Sequence, residues 1–179
     1  MSFTLYTPEN APGSASAELE SSQKSFGFIP NLHAVLAVAP AALEAYKSLH
    51  TYFSQTSFNA EELTVVWQTI NVENECHYCI PAHTGIAHMM KVDSAIIDAL
   101  NSGGDLPNAK LQALKDTTLA LLRKRGHLSD AEFSQFKAEG YGNQQVLEII
   151  VGIAQKTISN YTNHLADTPV DEGFLQYIK

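Results

Sequence analysis

At 179 residues, with 45% of them apolar and 17% charged, the chain is long enough to bury one core and too apolar to stay disordered. A formal net charge of −8 with no Lys/Arg cluster argues against a nucleic-acid or anionic-membrane surface. The opening residues show neither a basic start nor a long apolar run, and no stretch approaches a membrane span, so the expectation is a cytoplasmic protein.

Residues 1–17, with Pro8, Pro12, Gly13 and several serines, read as an irregular leader that packs on the surface or on a neighbouring subunit. A short helix is predicted from Ala17 to Ser25, then a turn through Phe26-Gly27-Phe28-Ile29-Pro30-Asn31 anchored by its aromatic residues. Leu32, Val35, Leu36 and Val38 start another helical face, and Pro40 suits the first turn of a helix running to about Tyr52. Asn59 with Glu62 makes a capping box ahead of Leu63, Val65, Val66, Trp67 and Ile70. That helix is apolar on most of its surface and therefore central, ending near Val72 to Asn74. A short helix follows from Val92 or Asp93 through Leu100 and closes on Asn101-Ser102-Gly103-Gly104-Asp105.

From Asn108 to Arg125 the positions Leu111, Leu114, Thr118, Leu121 and Leu122 keep a helical period. Ser129 with Glu132 is a second capping box, for a helix that stops at Gly140-Tyr141-Gly142. Asn143 is expected to cap the last long helix, in which Val146, Leu147, Ile149, Ile150, Ile153 and Ile158 form a broad apolar face for a core or a subunit contact. Thr168-Pro169 breaks it. No alternating strand pattern and no internal repeat is found. The prediction is a single all-α domain, a helical bundle of seven to nine helices spanning residues 1–179.

The stretch that carries chemistry is Glu73-Asn74-Glu75-Cys76-His77-Tyr78-Cys79-Ile80-Pro81-Ala82-His83, which holds both cysteines of the chain. On one helix Cys76, Cys79 and His83 would share a face, a dithiol with an imidazole one turn beyond. The thiolate is the nucleophile, and a free thiol is only about 3% ionised at neutral pH; lowering its pKa by about two units ionises about three quarters. A helix N-terminus supplies part of that field. His83 stands where a ring nitrogen can take the Cys79 proton directly or through one water. Glu73 and Glu75 can orient a histidine or receive its proton, yet they oppose a thiolate if charged beside sulfur, so at least one is expected to point away. A new helix from about Cys76 to Met90 is expected rather than a continuation of the preceding one.

Three plainer readings compete: buried cysteines acting as small hydrophobes, a zinc site, and a disulfide that only staples. Hydrophobes need no His, Glu and Tyr neighbours. Zinc would take Cys76, Cys79 and His83 with His77 or His88, but structural zinc usually draws on two separated knuckles and the chain has one. A bridge across two residues closes too small a loop to constrain much. No metal and no cofactor is expected.

With these residues in view, the chain resembles the carboxymuconolactone decarboxylase and alkylhydroperoxidase D superfamily, in its peroxidase-related branch. Glu73-Asn74-Glu75-Cys76-His77-Tyr78-Cys79 and Ala82-His83-Thr84 carry the likeness, with Gly27-Phe28-Ile29-Pro30-Asn31 upstream and Asn160-Tyr161-Thr162-Asn163-His164 downstream. The resemblance implies an all-helical fold with its family core at about residues 40–125, assembly into homo-oligomeric trimers or hexamers, and dithiol peroxidase activity. In that scheme Cys79 attacks a hydroperoxide, Cys76 resolves the sulfenic acid to a disulfide, and His83 relays the proton. A dithiol reductant, such as a lipoyl group on an adaptor protein, restores the pair. The family's relay glutamate would stand at Thr64, so Glu62 or Glu73 would have to substitute, and Tyr78 holds the place of a family histidine, with His77 one residue earlier. The relay is thus rewired or weakened, and the activity slow or aimed at another substrate.

The alternatives are a carboxymuconolactone-type decarboxylase, which needs acid–base groups and no dithiol, and a non-enzymatic redox-sensing or zinc-binding oligomer. His164 is explained by its helix C-terminus, Asn160 and Asn163 by backbone groups in need of partners, and Trp67, Tyr78 and Phe53 by core packing ahead of an access channel. His33, His50, His88 and His127 have no distinguishing neighbours. The enzymatic reading requires sulfurs that solvent reaches, that lie near enough to bond, and that grip no ion.

Overall fold

The helical periods and capping signals are answered, in a computed structural model that describes residues 3–178, by nine α-helices among those residues and no strand. Met1, Ser2 and Lys179, the ends of the leader and tail, lie outside the described residues. In chain order the helices are α1 (Ala15–Phe26), α2 (Asn31–Leu36), α3 (Pro40–Ser54), α4 (Ala60–Glu73), α5 (Cys79–Met89), α6 (Ser94–Ser102), α7 (Ala109–Arg123), α8 (Asp130–Ala138) and α9 (Asn143–Ala166), followed by a 3₁₀ segment, Glu172–Tyr177. The described leader packs back on the bundle, with the Tyr6 N–H donating to the Ala34 carbonyl at 3.1 Å. None of these helices is long and apolar enough to cross a membrane.

α4 is the centre of the bundle, packed against α5, α6, α7 and α9, and every residue from Glu62 to Asn71 is buried. Its start follows the capping box: the Glu62 N–H donates to Asn59 Oδ1 at 3.0 Å and the Asn59 N–H to Glu62 Oε2 at 3.0 Å. Ser129 and Glu132 repeat the device at α8. At α9 the cap lies one residue earlier than expected, Gly142, whose N–H donates to Gln145 Oε1.

The junction of α4 with α5 corrects the expected helix from Cys76. Glu75 is forced into the left-handed region at φ 51°, and the Cys76 N–H turns back to the Asn71 carbonyl at 3.0 Å. Helix α5 therefore opens at Cys79, and Cys76 lies in the turn before it.

The last helix is organised in the opposite sense to its apolar pattern. Ile149 is buried and Val146 and Ile153 pack on the core, but Leu147 and Ile150 are 64% and 44% exposed. Tyr161 and Leu165 extend that exposed apolar stripe. The inward face is polar: Gln155, Lys156, Ser159, Asn160 and Asn163 are all 0% exposed. Two apolar clusters flank this face. One joins α4 to α6, α7 and the start of α9; the other gathers Leu19, Leu32, Leu36, Leu43 and Tyr46 around Cys76, Tyr78 and Cys79.

Gly152 lets α9 approach α3 and α4 closely. A Cβ there would stand 2.9 Å from the Phe53 ring and 3.0 Å from Val66 Cγ1, and Phe53 is fully buried with no room to retreat. Gly152→Ala is expected to lower stability by about 1–3 kcal/mol, read as a fall in the urea midpoint at unchanged slope.

Candidate active site

The two cysteines are reduced and lie side by side without a bond, at the seam where α5 begins against α9. The turn through 76–79 aims the Cys79 N–H at Cys76 Sγ, 3.3 Å away. From α9, Asn163 Nδ2 donates to Cys79 Sγ at 3.2 Å and reaches Cys76 Sγ at 3.9 Å. Its Oδ1 is buried with no hydrogen-bond partner among the described residues, an acceptor held open beside the sulfurs. Asn160 is locked between Asn71 and Asn74, donating to Asn71 Oδ1 at 3.1 Å and accepting from Asn74 Nδ2 at 2.8 Å. These two amides serve sulfur and other side chains, where the sequence reading gave them to the backbone.

Lys156 supplies the site's charge, and nothing in the apolar periodicity pointed to it. Its Nζ donates to His83 Nε2, and both side chains are buried. The ring that accepts at Nε2 is neutral: burial, with the Lys156 charge and His50, holds His83 well below the usual histidine range. His83 packs on Trp67, ring centroids 5.1 Å apart, and Trp67 stacks in turn on His50. Gln155 ties these rings together, accepting from Trp67 Nε1 at 2.8 Å and donating to His50 Nδ1 at 3.1 Å. His50 thus belongs to the layer behind His83.

The two thiols are driven apart in acidity. Burial alone would push Cys79 up, but its hydrogen bond with Cys76, the charge of Lys156 and the amides of Asn163 and Asn160 bring it down to about 6. The same Cys76–Cys79 hydrogen bond, together with burial and the negative charge on Cys79, raises Cys76 far above an ordinary thiol. Lys156 is lowered to about 8, burial outweighing the attraction of the two sulfurs. Cys79 is thereby the more acidic thiol of the pair and Cys76 the less acidic.

Other sequence candidates lie elsewhere. Glu73 forms a two-pronged ion pair with Arg123, both contacts 2.6 Å, and so points away from the sulfurs. Glu62 is spent on its cap, on Tyr141, whose hydroxyl donates at 2.9 Å, and on Lys110 at 2.9 Å. His77 turns outward and donates to the Thr168 carbonyl at 3.0 Å. His88 stacks on Tyr177, and Glu75, His127 and His164 are exposed. The zinc ligand set is consequently not assembled: His83 Nε2 faces an ammonium, and among the described residues no group of three or more His, Cys, Asp or Glu is arranged for a metal ion.

The requirement of solvent access is not met in this structure, with Cys76 0% and Cys79 2% exposed. Hollows of about 410 and 290 Å³ flank α7, and neither touches the sulfurs. The chain's C-terminal strap covers the α5 end instead. The Tyr78 hydroxyl, between the cysteines in sequence, donates to Asp171 Oδ2 at 2.5 Å, while Asp171 Oδ1 accepts from the Asn31 N–H at 2.9 Å. Phe174 and Tyr177 lie so close over Gly85 that a Cβ there would meet their rings at 2.6 and 2.9 Å. Tyr78, Phe53 and Trp67 are buried core residues.

Two outcomes follow from this placement. Glu73→Gln is expected to leave the thiolate titration unchanged and to move stability by less than about 1 kcal/mol, since the lost pair is largely exposed. Burial keeps His33 neutral down to about 3 and His50 down to about 4, whereas an unfolded histidine takes its proton near 6.5. The unfolded state binds more protons between those values, so stability is expected to fall as pH drops below 6.5, by about 2 kcal/mol per histidine at pH 5, as urea melts at pH 7 and pH 5 would register.

No family model and no curated protein matches the sequence, so the comparisons that bear on it are with solved structures. The chain is similar to an uncharacterised peroxidase-related protein from Ralstonia eutropha described as an alkylhydroperoxidase D core, with TM-score 0.85 and 19% identity over 96% of this chain and 93% of that one. It is similar to a second peroxidase-related protein, from a Silicibacter species, with TM-score 0.78 and 15% identity over 92% and 88%. It is also similar to the debrominase Bmp8, solved in complex with 2,3,4-tribromopyrrole, with TM-score 0.75 and 18% identity over 98% and 94%. At these identities the likeness is one of architecture: the chain has a helical fold similar to that of the alkylhydroperoxidase D core.

Proposed function

We propose that the protein is a thiol-dependent peroxidase that reduces hydroperoxides through Cys79 and Cys76. The observation that carries this reading is the pair of free sulfurs sharing the Asn163 amide, an arrangement that acidifies Cys79 and leaves Cys76 a weak acid. The Cys79 thiolate attacks the terminal oxygen of a hydroperoxide; the O–O bond breaks, the alcohol leaves with a proton, and Cys79 becomes a sulfenic acid. Cys76 then attacks that sulfur, releasing water and forming the disulfide. Sulfur loses two electrons and the peroxide gains them. The open Asn163 Oδ1 gives the hydroperoxide O–H, and later the sulfenic O–H, an acceptor.

The apolar residues around the sulfurs, Leu32, Leu36, Leu43 and Tyr46, favour an organic hydroperoxide over hydrogen peroxide. Because the sulfurs are covered, the reading includes an opening step, in which the segment tied down by the Tyr78–Asp171 hydrogen bond would be released. Regeneration falls to an external dithiol, of which a lipoyl group is one form. The exposed stripe Leu147, Ile150, Tyr161 and Leu165 supports self-association.

A second reading is thiol-dependent removal of halogen from an aromatic ring. The apolar lining of the dithiol and the likeness to a debrominase support it. It uses the same sulfur pair, so substrate turnover separates it from the first. A decarboxylase would keep its activity in Cys79→Ser.

One equivalent of an organic hydroperoxide is expected to remove two free thiols per chain, and a dithiol to restore them; an unchanged thiol titre would sink the peroxidase reading. Cys79→Ser should abolish the reaction. Cys76→Ser should stop it at a sulfenic acid that a carbon-acid trap captures.

A further inference from the structure

A fully buried lysine whose only hydrogen-bond partner among the described residues is a neutral imidazole is out of place in a protein core. Taking an ammonium out of water costs several kcal/mol unless an anion faces it. Among the described residues no carboxylate does so: Glu62 and Glu73 are held elsewhere, and Asp171 is engaged by Tyr78 and Asn31. The titratable groups that Lys156 meets are His83 from α5, by a hydrogen bond, and His50 from α3 and the two sulfurs, by charge. The one group among them that readily becomes an anion is a cysteine. At Thr64, where the resemblance calls for a relay glutamate, the hydroxyl only donates to the Ala60 carbonyl at 2.8 Å.

We propose that Lys156, held by His83, does the work of the missing carboxylate with the opposite charge: its ammonium compensates the Cys79 thiolate at rest and supplies the proton that the leaving oxygen needs. This deepens the peroxidase reading and rests on it. His83 is then a positioning residue. Its Nε2 already accepts from Lys156, so it does not take the thiol proton as the sequence reading assigned; it fixes where the ammonium stands.

The proton count closes without any further group. At rest Lys156 and Cys76 each hold one proton and Cys79 none. Attack on the hydroperoxide expels an alkoxide, which takes the Lys156 proton and leaves as alcohol. The neutral amine takes the Cys76 proton, the new thiolate attacks the Cys79 sulfenic acid, and the hydroxide expelled leaves as water with that same proton. Disulfide and neutral lysine remain. Oxidation thus removes the anion that keeps the buried amine charged, and reduction brings it back.

Lys156→Met keeps the length and removes the charge. The test is the pH midpoint of thiolate ultraviolet absorbance in the reduced protein, with far-ultraviolet circular dichroism as the check on folding. The first thiolate midpoint is expected to rise by at least about one unit, a tenfold loss of thiolate below the midpoint. A folded Lys156→Met protein with an unmoved midpoint would overturn the proposal.

If that variant does not fold, the wild-type protein decides: nuclear magnetic resonance titration of the Lys156 ammonium should show its midpoint falling on oxidation to the disulfide. Equal midpoints in the two redox states would overturn the proposal. His83→Gln, which keeps an acceptor, should shift the thiolate midpoint less than Lys156→Met; an equal or greater shift would return the leading part to the imidazole and overturn the assignment. All these readouts need no hydroperoxide. A failed peroxidase assay with a moved midpoint would therefore count against the reaction and leave the Lys156–Cys79 charge pairing in place.

Discussion

The burial of the Lys156 ammonium against His83 and the two sulfurs is the constraint that the rest of the site obeys. A charge in a low-dielectric interior acts strongly on every ionisable group near it: burial with this charge keeps His83 and His50 neutral, and the Cys76 hydrogen bond with this charge brings Cys79 down. The surroundings are arranged to tolerate it. Gln155, Asn160 and Asn163 share one face of α9 with Lys156, Asn71 meets Asn160 from α4, and Gln68 in turn bonds Asn71, so a polar layer runs between two apolar clusters. Gln68 binds the Ile80 carbonyl and Asn71 the Cys79 carbonyl, which pins the start of α5, and with it the Cys79 sulfur, to the central helix.

The architecture was largely legible in the sequence because its signals are local. Both capping boxes, the proline that opens α3 and the glycine that closes α6 act within four residues of the helix ends they set. The dithiol was legible for the same reason, being a spacing of three residues in a turn. The likeness of the fold to alkylhydroperoxidase D-like structures agrees with the motifs around Cys76, Cys79 and His83.

What sequence reasoning missed depends on distant partners. Glu73 is drawn off by Arg123, fifty residues along the chain, and His77 by the carbonyl of Thr168 beyond the last helix. Cys76 falls outside α5 because Glu75 adopts a left-handed backbone, which no local rule demands of a glutamate. Lys156 escaped notice because α9 inverts the usual pattern, carrying polar residues inward and leaving Leu147, Ile150, Tyr161 and Leu165 outside. The signal that could have exposed it is the run Gln155, Lys156, Ser159, Asn160 and Asn163 at helical spacing, opposite a helix that itself carries Gln68 and Asn71 between apolar residues.

The polar inner face of α9 also bears on folding fidelity. Oily surfaces slide past one another at little penalty, whereas directional bonds accept a single alignment. Were α9 to dock one residue out of step, Gln155, Lys156, Asn160 and Asn163 would lose Trp67, His83, Asn71 and the sulfur, each orphaned group costing about 1–3 kcal/mol. Near-native misalignments are thereby raised well above the correct one, and the polar residues beside the sulfurs double as the key that admits only one seating of the longest helix.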